Sequence, residues 1–345
     1  MKAARLVRYK TPYDIQEVDL PTLQENDLLV QVGAAGYCHT DYQVYVGVYG
    51  SQCPLTPSHE PVGTVVQVGS AVQHFKRGDR VGVLLFRHAC GSCLACRTTL
   101  AEQGRVDPRF CETISMAGIK DDGAMAEYIV ADAENTVKLP DSVAFEQGAP
   151  LMCAGTTVWG GIEKAQLRPN SRVGVIGIGG LGSLAVQFLK ALGHQVVAVD
   201  NRQEGLDLAT EPSQKADLVV DSRSDTAVDE IVHWAGHGGL AAVIVCTDNV
   251  SVNGWSLKLL AAHGKCIVLG LPVDPLQFNA FDLVFKEIAI IGSLVATIEQ
   301  ARDMMVVVDR FHIRSHVRTL RLEDAPNLPS LYMDPHLKGR LVVKF

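Results

Sequence analysis

Short apolar runs broken by turn residues dominate the first 150 residues: 28–32, 63–68 and 80–85 each read as strands, bounded by signals such as Lys76-Arg77-Gly78-Asp79. This pattern predicts a β-rich, irregular domain. From about Ser171 it changes to short apolar strands alternating with helical stretches: 172–176, then a helix over 181–192, then 196–199, with later strands near 218–220, 242–245 and 266–269. Strand–helix alternation predicts a parallel, doubly wound α/β sheet. After an apolar run at 288–291, a helix over 298–309 leads to a last strand in Gly339-Arg340-Leu341-Val342-Val343, too isolated to found a domain and expected to return to the first one. The one connection that reads as overlong is 97–110, and no internal repeat or low-complexity segment is present.

Composition narrows the class. A chain of 345 residues, 47% hydrophobic and 20% charged, can bury two separate cores, which excludes disordered and fibrous proteins. With 31 basic against 38 acidic residues the net charge is −7, and no Lys/Arg stripe offers nucleic acid or an anionic membrane a surface. The N-terminus lacks the apolar core of a secretory signal, and no apolar stretch is long enough to span a bilayer, so a cytoplasmic protein is expected. Nine cysteines in such a chain point to metal or redox chemistry rather than a disulfide framework.

Gly177-Ile178-Gly179-Gly180-Leu181-Gly182 follows a predicted strand and opens a predicted helix, the context in which G-x-G-x-x-G signals a dinucleotide site rather than a glycine-rich turn. Asp200 ends the next strand, 18 residues beyond Gly182. Its carboxylate can accept both ribose hydroxyls and would repel a 2′-phosphate, favouring NAD over NADP, although Arg202 offers a phosphate some accommodation.

Two cysteine constellations carry metal chemistry. Cys90, Cys93 and Cys96 form a C-x2-C-x2-C run with Cys111 the nearby fourth thiol. Four sulfurs suit a closed, structural Zn²⁺ site; an iron–sulfur cluster and a set of free thiols are the alternatives. The second is scattered: Cys38-His39-Thr40-Asp41, His59-Glu60 and Cys153. Read alone, each of Cys38, His59 and Cys153 is as well explained as an inert core residue. Together they make three zinc ligands with an open fourth position, beside a hydroxyl at Thr40 and carboxylates at Asp41 and Glu60 that can orient the imidazole or approach the metal.

With Gly36-Tyr37-Cys38-His39-Thr40-Asp41, Pro57-Ser58-His59-Glu60-Pro61-Val62-Gly63, the Cys90 to Cys111 lobe, Gly148-Ala149-Pro150-Leu151-Met152-Cys153-Ala154-Gly155-Thr156-Thr157, the glycine loop and Gly339-Arg340 in this order, the whole chain resembles the zinc-dependent alcohol dehydrogenases of the medium-chain dehydrogenase/reductase superfamily. The resemblance implies a GroES-like catalytic domain over residues 1–154 and 296–345 and a Rossmann domain over 155–295. The absence of the longer lobe insertion of dimeric members resembles the short microbial tetramers. The resemblance implies Cys38, His59 and Cys153 as catalytic zinc ligands with Glu60 exchanging among them, Asp41 as partner of the ligand histidine, and Thr40 as acceptor of the alcohol proton. His39 and Arg340 match contacts to the cofactor pyrophosphate, Thr157 a residue beside the nicotinamide, and Leu269, Ser293 and Val295 the backbone that holds its carboxamide. Tyr49, Leu85, Phe86, Leu271 and Leu294 match the lining of an apolar substrate pocket. The expected reaction is hydride transfer between NAD(H) and an alcohol or carbonyl with an apolar side chain.

Three departures from the family pattern stand out. Gln43 occupies the place of the histidine that ends the proton relay, so release from ribose directly to water is expected. Ser58 replaces a glycine. Fourteen residues separate Cys96 from Cys111, a longer spacing than usual, so the insert containing Gly104 and Pro108 is expected to loop out if Cys111 is to reach the metal. Two other functions fit less well: a zinc-free quinone or enoyl reductase of the same superfamily, and a dinucleotide-binding redox sensor without turnover.

Overall fold

The computed structural model describes residues 1–211 and 213–345. They form two compact units, Met1–Cys153 with Val317–Phe345, and Ala154–His316. The helix Ile298–Phe311 stays with the second unit, packed on the helix Ala154–Ala165, and the chain crosses back at Val317.

In the first unit a mixed seven-stranded sheet is organised around one long strand, Asp27–Tyr37. Its first half pairs antiparallel with Tyr128–Asp132, its last residues with the C-terminal strand Arg340–Lys344, and most of its length with Pro61–Val68. The order continues through Arg80–Val83 to Thr136–Lys138, and Val317–Arg321 closes the other edge beside Arg340–Lys344. Leu28, Val30, Val65, Val81, Ile129 and Leu341 fill the core with almost no exposure. Because Asp27–Tyr37 threads this core and ends at Cys38, the ligand-bearing corner rests on the best-buried element of the unit.

The second unit is a six-stranded, wholly parallel sheet. Its order is Leu218–Asp221, Gln195–Asp200, Arg172–Ile176, Leu240–Val245, Leu260–Val268, Ala289–Gly292. The direction of winding reverses between Arg172–Ile176 and Leu240–Val245, the switch point at which open α/β sheets bind ligands. Val196, Val197, Ala198 and Val199 are all fully buried, as a strand covered on both faces requires. Among the described residues no helix is long and apolar enough to cross a membrane.

One element departs from the pattern reading. Residues 97–110 are not an open loop: Leu94–Gln103 is a helix, capped at its start by Cys93 and ended by Gly104 in the left-handed conformation, φ 73°. The stretch carries no continuous apolar face, and only Cys96 and Thr99 are buried in it, so amphipathic periodicity could not reveal it.

Candidate active site

The catalytic-type cluster assembles within the first unit. Cys38 is the N-cap of the helix His39–Val46, and its backbone N–H donates to Asp41 Oδ2 at 2.8 Å. Asp41 Oδ1 accepts from Ser58 N at 3.0 Å and lies 3.2 Å from His59 Nδ1. One buried carboxylate therefore ties both ligand segments together and commits the His59 Nδ1 hydrogen to itself. Nε2 is left facing Cys153 Sγ, 3.2 Å away. Cys153 follows the tight helical turn Ala149–Met152, and its sulfur stands 3.8 Å from that of Cys38. The ligand atoms of Cys38, His59, Glu60 and Cys153 all lie within 4.8 Å of one another.

This donor set fits zinc. Tetrahedral bonds of about 2.3 Å to two thiolates separate the sulfurs by about 3.8 Å. Glu60 Oε2 is buried with no partner, which is costly for a carboxylate unless a cation is to be met. The charges agree: hydrogen bonding from Cys153, with Arg340 and His59 nearby, holds the Cys38 thiol well below its ordinary value, while the same bond keeps Cys153 well above. Burial pulls the His59 pKa down but is outweighed by Asp41 and Cys38, leaving it well above the usual value. Burial also pushes Glu60 up to about 7, against the pull of Arg340. Crowded thiolates repel, and a divalent cation removes that conflict.

The four lobe cysteines converge as well, with ligand atoms within 4.8 Å and the Cys90 and Cys96 sulfurs 4.0 Å apart. Backbone N–H groups aim at the sulfurs: Cys93 N at Cys90, Cys96 N at Cys93, and Cys90 N at Cys111, at 3.3, 3.4 and 3.3 Å. Backbone donors from Ser92 and Cys93 lower the Cys90 thiol to about 5, while burial and neighbouring thiols push Cys96 up to about 12. The insert folds back rather than looping out. Asp107 N donates to Thr99 Oγ1 at 3.1 Å, Arg109 clamps the Asp107 carboxylate, and the next turn delivers Cys111 to the cluster.

Around the first cluster, His39 Nδ1 lies 3.1 Å from the Tyr332 hydroxyl, and Arg340 is buried in an ion pair with Glu60. Tyr49 is partly exposed, Leu85 half-buried and Phe86 buried, all within the same unit.

In the second unit Gly177, at φ 87°, makes the turn out of its strand, and a Cβ at Gly182 would stand 2.0 Å from Gly177 O. Gly179 and Gly180 lie between, with Leu181 directly before the helix Gly182–Ala191. Asp200 ends its strand as expected, but its carboxylate also braces the loop, accepting from Ile178 N, Asn201 N and Arg202 N at 2.6, 2.8 and 2.9 Å. Thr157 is buried in the helix Ala154–Ala165. Leu269 and Ser293 directly follow the C-terminal ends of two neighbouring strands, and Ser293 N donates to Val268 O at 3.3 Å. Val295 comes just after, while Leu271 and Leu294 are exposed.

Residues 24–141 match the alcohol dehydrogenase GroES-like domain and residues 180–310 the zinc-binding dehydrogenase domain. An alcohol dehydrogenase of Geobacillus stearothermophilus is 35% identical over 346 aligned positions, covering 100% of this chain and 99% of that one. The chain belongs to the alcohol dehydrogenases of the medium-chain superfamily. Its fold is the GroES-like and Rossmann-type combination of that family, and it is an oxidoreductase. The alcohol dehydrogenase of the hyperthermophilic archaeon Aeropyrum pernix superposes with a TM-score of 0.87 at 29% identity, covering 100% of both chains. A Sinorhizobium meliloti protein bound to NADP gives 0.87 at 26% identity, covering 100% of this chain and 99% of that one.

Two features of this alcohol dehydrogenase site escape sequence reasoning. Tyr332 reaches His39 from 293 positions away, which no local pattern signals. Ser58 adopts φ 80°, the region that favours glycine, and Gly118 and Gly123 pack so closely on its backbone that a Cβ would meet it at 2.7 and 2.1 Å. The departure from glycine at Ser58 was the one signal available.

Proposed function

We propose that the chain is an NAD(H)-linked alcohol dehydrogenase holding a catalytic zinc at Cys38, His59 and Cys153 and a structural zinc at Cys90, Cys93, Cys96 and Cys111. The observation that carries this reading is the buried convergence of two thiols, an imidazole and an unpartnered carboxylate oxygen at tetrahedral spacing. A zinc ion there supplies Lewis-acid stabilisation of an alcohol or carbonyl oxygen.

The chain's own residues do the rest. Asp41 holds the His59 tautomer that presents Nε2, and Thr40 takes the alcohol proton at Oγ. Glu60 is the carboxylate available for exchange at the metal, while His39 and Arg340 supply positive charge for the coenzyme. The glycine loop receives the pyrophosphate at a helix N-terminus, Thr157, Leu269, Ser293 and Val295 hold the nicotinamide, and Asp200 selects NAD by repelling a 2′-phosphate. Tyr49, Leu85, Phe86, Leu271 and Leu294 favour apolar alcohols and aldehydes. A homo-oligomer, by preference a tetramer, is consistent with the edge strand Ala289–Gly292 and the exposed apolar side chains Phe281, Val284 and Phe285 beside it in the sequence.

Elemental mass spectrometry on protein purified without chelator, with coenzyme-linked assays over alcohol, aldehyde, quinone and enone panels, tests the reading. The expected result is two zinc ions per chain, one for each cluster, and turnover of apolar alcohols with NAD in preference to NADP. Metal-free protein that reduces quinones or enones would replace it with the zinc-free reductase.

A further inference from the structure

His59 is delivered by a segment with a strained turn. Ser58, at φ 80°, lies in the left-handed region, a conformation that persists only where its surroundings over-determine it. Hydrogen bonds from several segments do so. Gly123 N, Met125 N and Ala124 N donate to Thr56 O, Pro57 O and Ser58 O at 2.8, 3.0 and 2.8 Å, while Ser58 N donates to Asp41 Oδ1 at 3.0 Å and Ser58 Oγ to Gly36 O at 2.8 Å. Just upstream, Thr56 N donates to Asp122 Oδ1 at 2.8 Å. The same oxygen accepts from Arg5 Nη1 at 2.6 Å, and that guanidinium also donates to Thr56 Oγ1 at 2.8 Å and to Pro54 O at 3.0 Å.

Arg5 stands where three segments meet. It ends the strand Lys2–Arg5, with Ala4 N donating to Met125 O before it and Leu6 paired with Leu55 after it, and its guanidinium binds residues 54–56 to Asp122. Burial separates the roles: Arg5 is 9% exposed and Thr56 2%, but the Asp122 side chain is 59% exposed. An exposed carboxylate adds little apolar packing, so its contribution lies in the bonds it accepts. Neither Arg5 nor Asp122 belongs to the ligand cluster, and Thr56 precedes His59 by three residues.

We infer that Arg5 and Asp122 are positioning residues for the catalytic zinc site, fixing the backbone at Thr56 so that His59 is held where it meets Cys38 and Cys153. The inference rests on the reading of Cys38, His59 and Cys153 as zinc ligands. Asp41 orients the imidazole ring by direct contact, whereas the Arg5–Asp122 clamp fixes the backbone that carries the ring. A ligand already in place gives up little freedom when the metal binds, and the metal leaves such a site slowly because the imidazole is not free to drift from it. Loosening the clamp lets the strained turn at Ser58 relax, and His59 moves with it.

The test follows zinc release to excess chelator from zinc-replete wild type, Asp122→Ala, Arg5→Met and the double variant. Release from the Cys38, His59 and Cys153 site is expected to be about tenfold faster in each single variant, with release from the lobe cysteines unchanged. Cobalt substitution tells the two sites apart, because two thiolates and four give different charge-transfer intensities, and the two-thiolate bands are expected to shift in the variants. The double variant is expected to release zinc no faster than the faster single variant, since both act through one clamp. Amide exchange at Ala124, which donates to Ser58 O, is expected to quicken in zinc-replete Asp122→Ala. A lower Tm with unchanged release and unchanged cobalt bands overturns the positioning role, as do unchanged amide exchange or single effects that multiply in the double variant. Should Arg5→Met not fold, Asp122→Ala at its exposed position decides alone. If wild-type protein binds metal at the lobe alone, the zinc reading has failed and the inference falls with it, a failure seen without any variant.

Discussion

Arg340 and Glu60 form an ion pair with side chains 6% and 0% exposed, joining the C-terminal strand Arg340–Lys344 to the segment that carries His59. Burial alone would lower the arginine's pKa, but Glu60, Cys38 and Cys153 hold it well above the ordinary value. Removing one partner strands the other's charge, so Arg340→Met is expected to cost about 3–5 kcal/mol in urea unfolding. The double variant Glu60→Gln/Arg340→Met should lose much less than the sum of the single losses. Additive losses would mean that the pair is not coupled in solution.

Asp41 binds Cys38 N, Ser58 N and His59 Nδ1 together. Asparagine keeps the size but can offer only one accepting oxygen, so its amide hydrogens must face at least one of these donors. Asp41→Asn is expected to weaken zinc at this cluster about 10–100-fold, measured by chelator competition, while zinc at the lobe cysteines is retained. Wild-type retention at both sites would assign Asp41 a purely local role.

The glycine loop separates folding from binding. Added methyls meet backbone 2.0 Å away at Gly182 but only the Arg202 guanidinium, 4.0 Å away, at Gly179. Gly182→Ala should therefore lower the Tm. Gly179→Ala should leave it unchanged and raise the Kd for NADH in fluorescence titration, because the methyl occupies space that the pyrophosphate needs.

Asp107 closes the lobe insert. Burial works to raise its carboxyl pKa, but the Arg109 clamp prevails and holds it below the usual range. A depressed acid contributes stability that is complete above its unfolded pKa, about 4, and is lost as pH falls through the folded value. Thermal unfolding from pH 5 to 3 should accordingly narrow the gap between wild type and Asp107→Asn. A gap that stays constant would show that the clamp gives no pH-dependent stability.

Much of the site was legible because its signals are local. The glycine loop between strand and helix, the three lobe cysteines spaced by two residues, and Cys38 followed by Thr40 and Asp41 each fall within a few residues of chain. The lobe helix was not legible, since its buried residues, Cys96 and Thr99, are too few to print a period. Nor was the Tyr49–Gln43 bond, which depends on Gly47 turning the chain back.

The family, the parallel sheet with its glycine loop, and the residue types able to bind metal are legible along the chain, because buried strands, tight turns and ligand chemistry impose short-range patterns. Folding in three dimensions is what brings Arg340 to Glu60 and Tyr332 to His39, and what lets Cys111 close the lobe across its lengthened insert. Those contacts join segments far apart in the chain, and side chains meet there through packing and burial, which leave no spacing to read along the sequence.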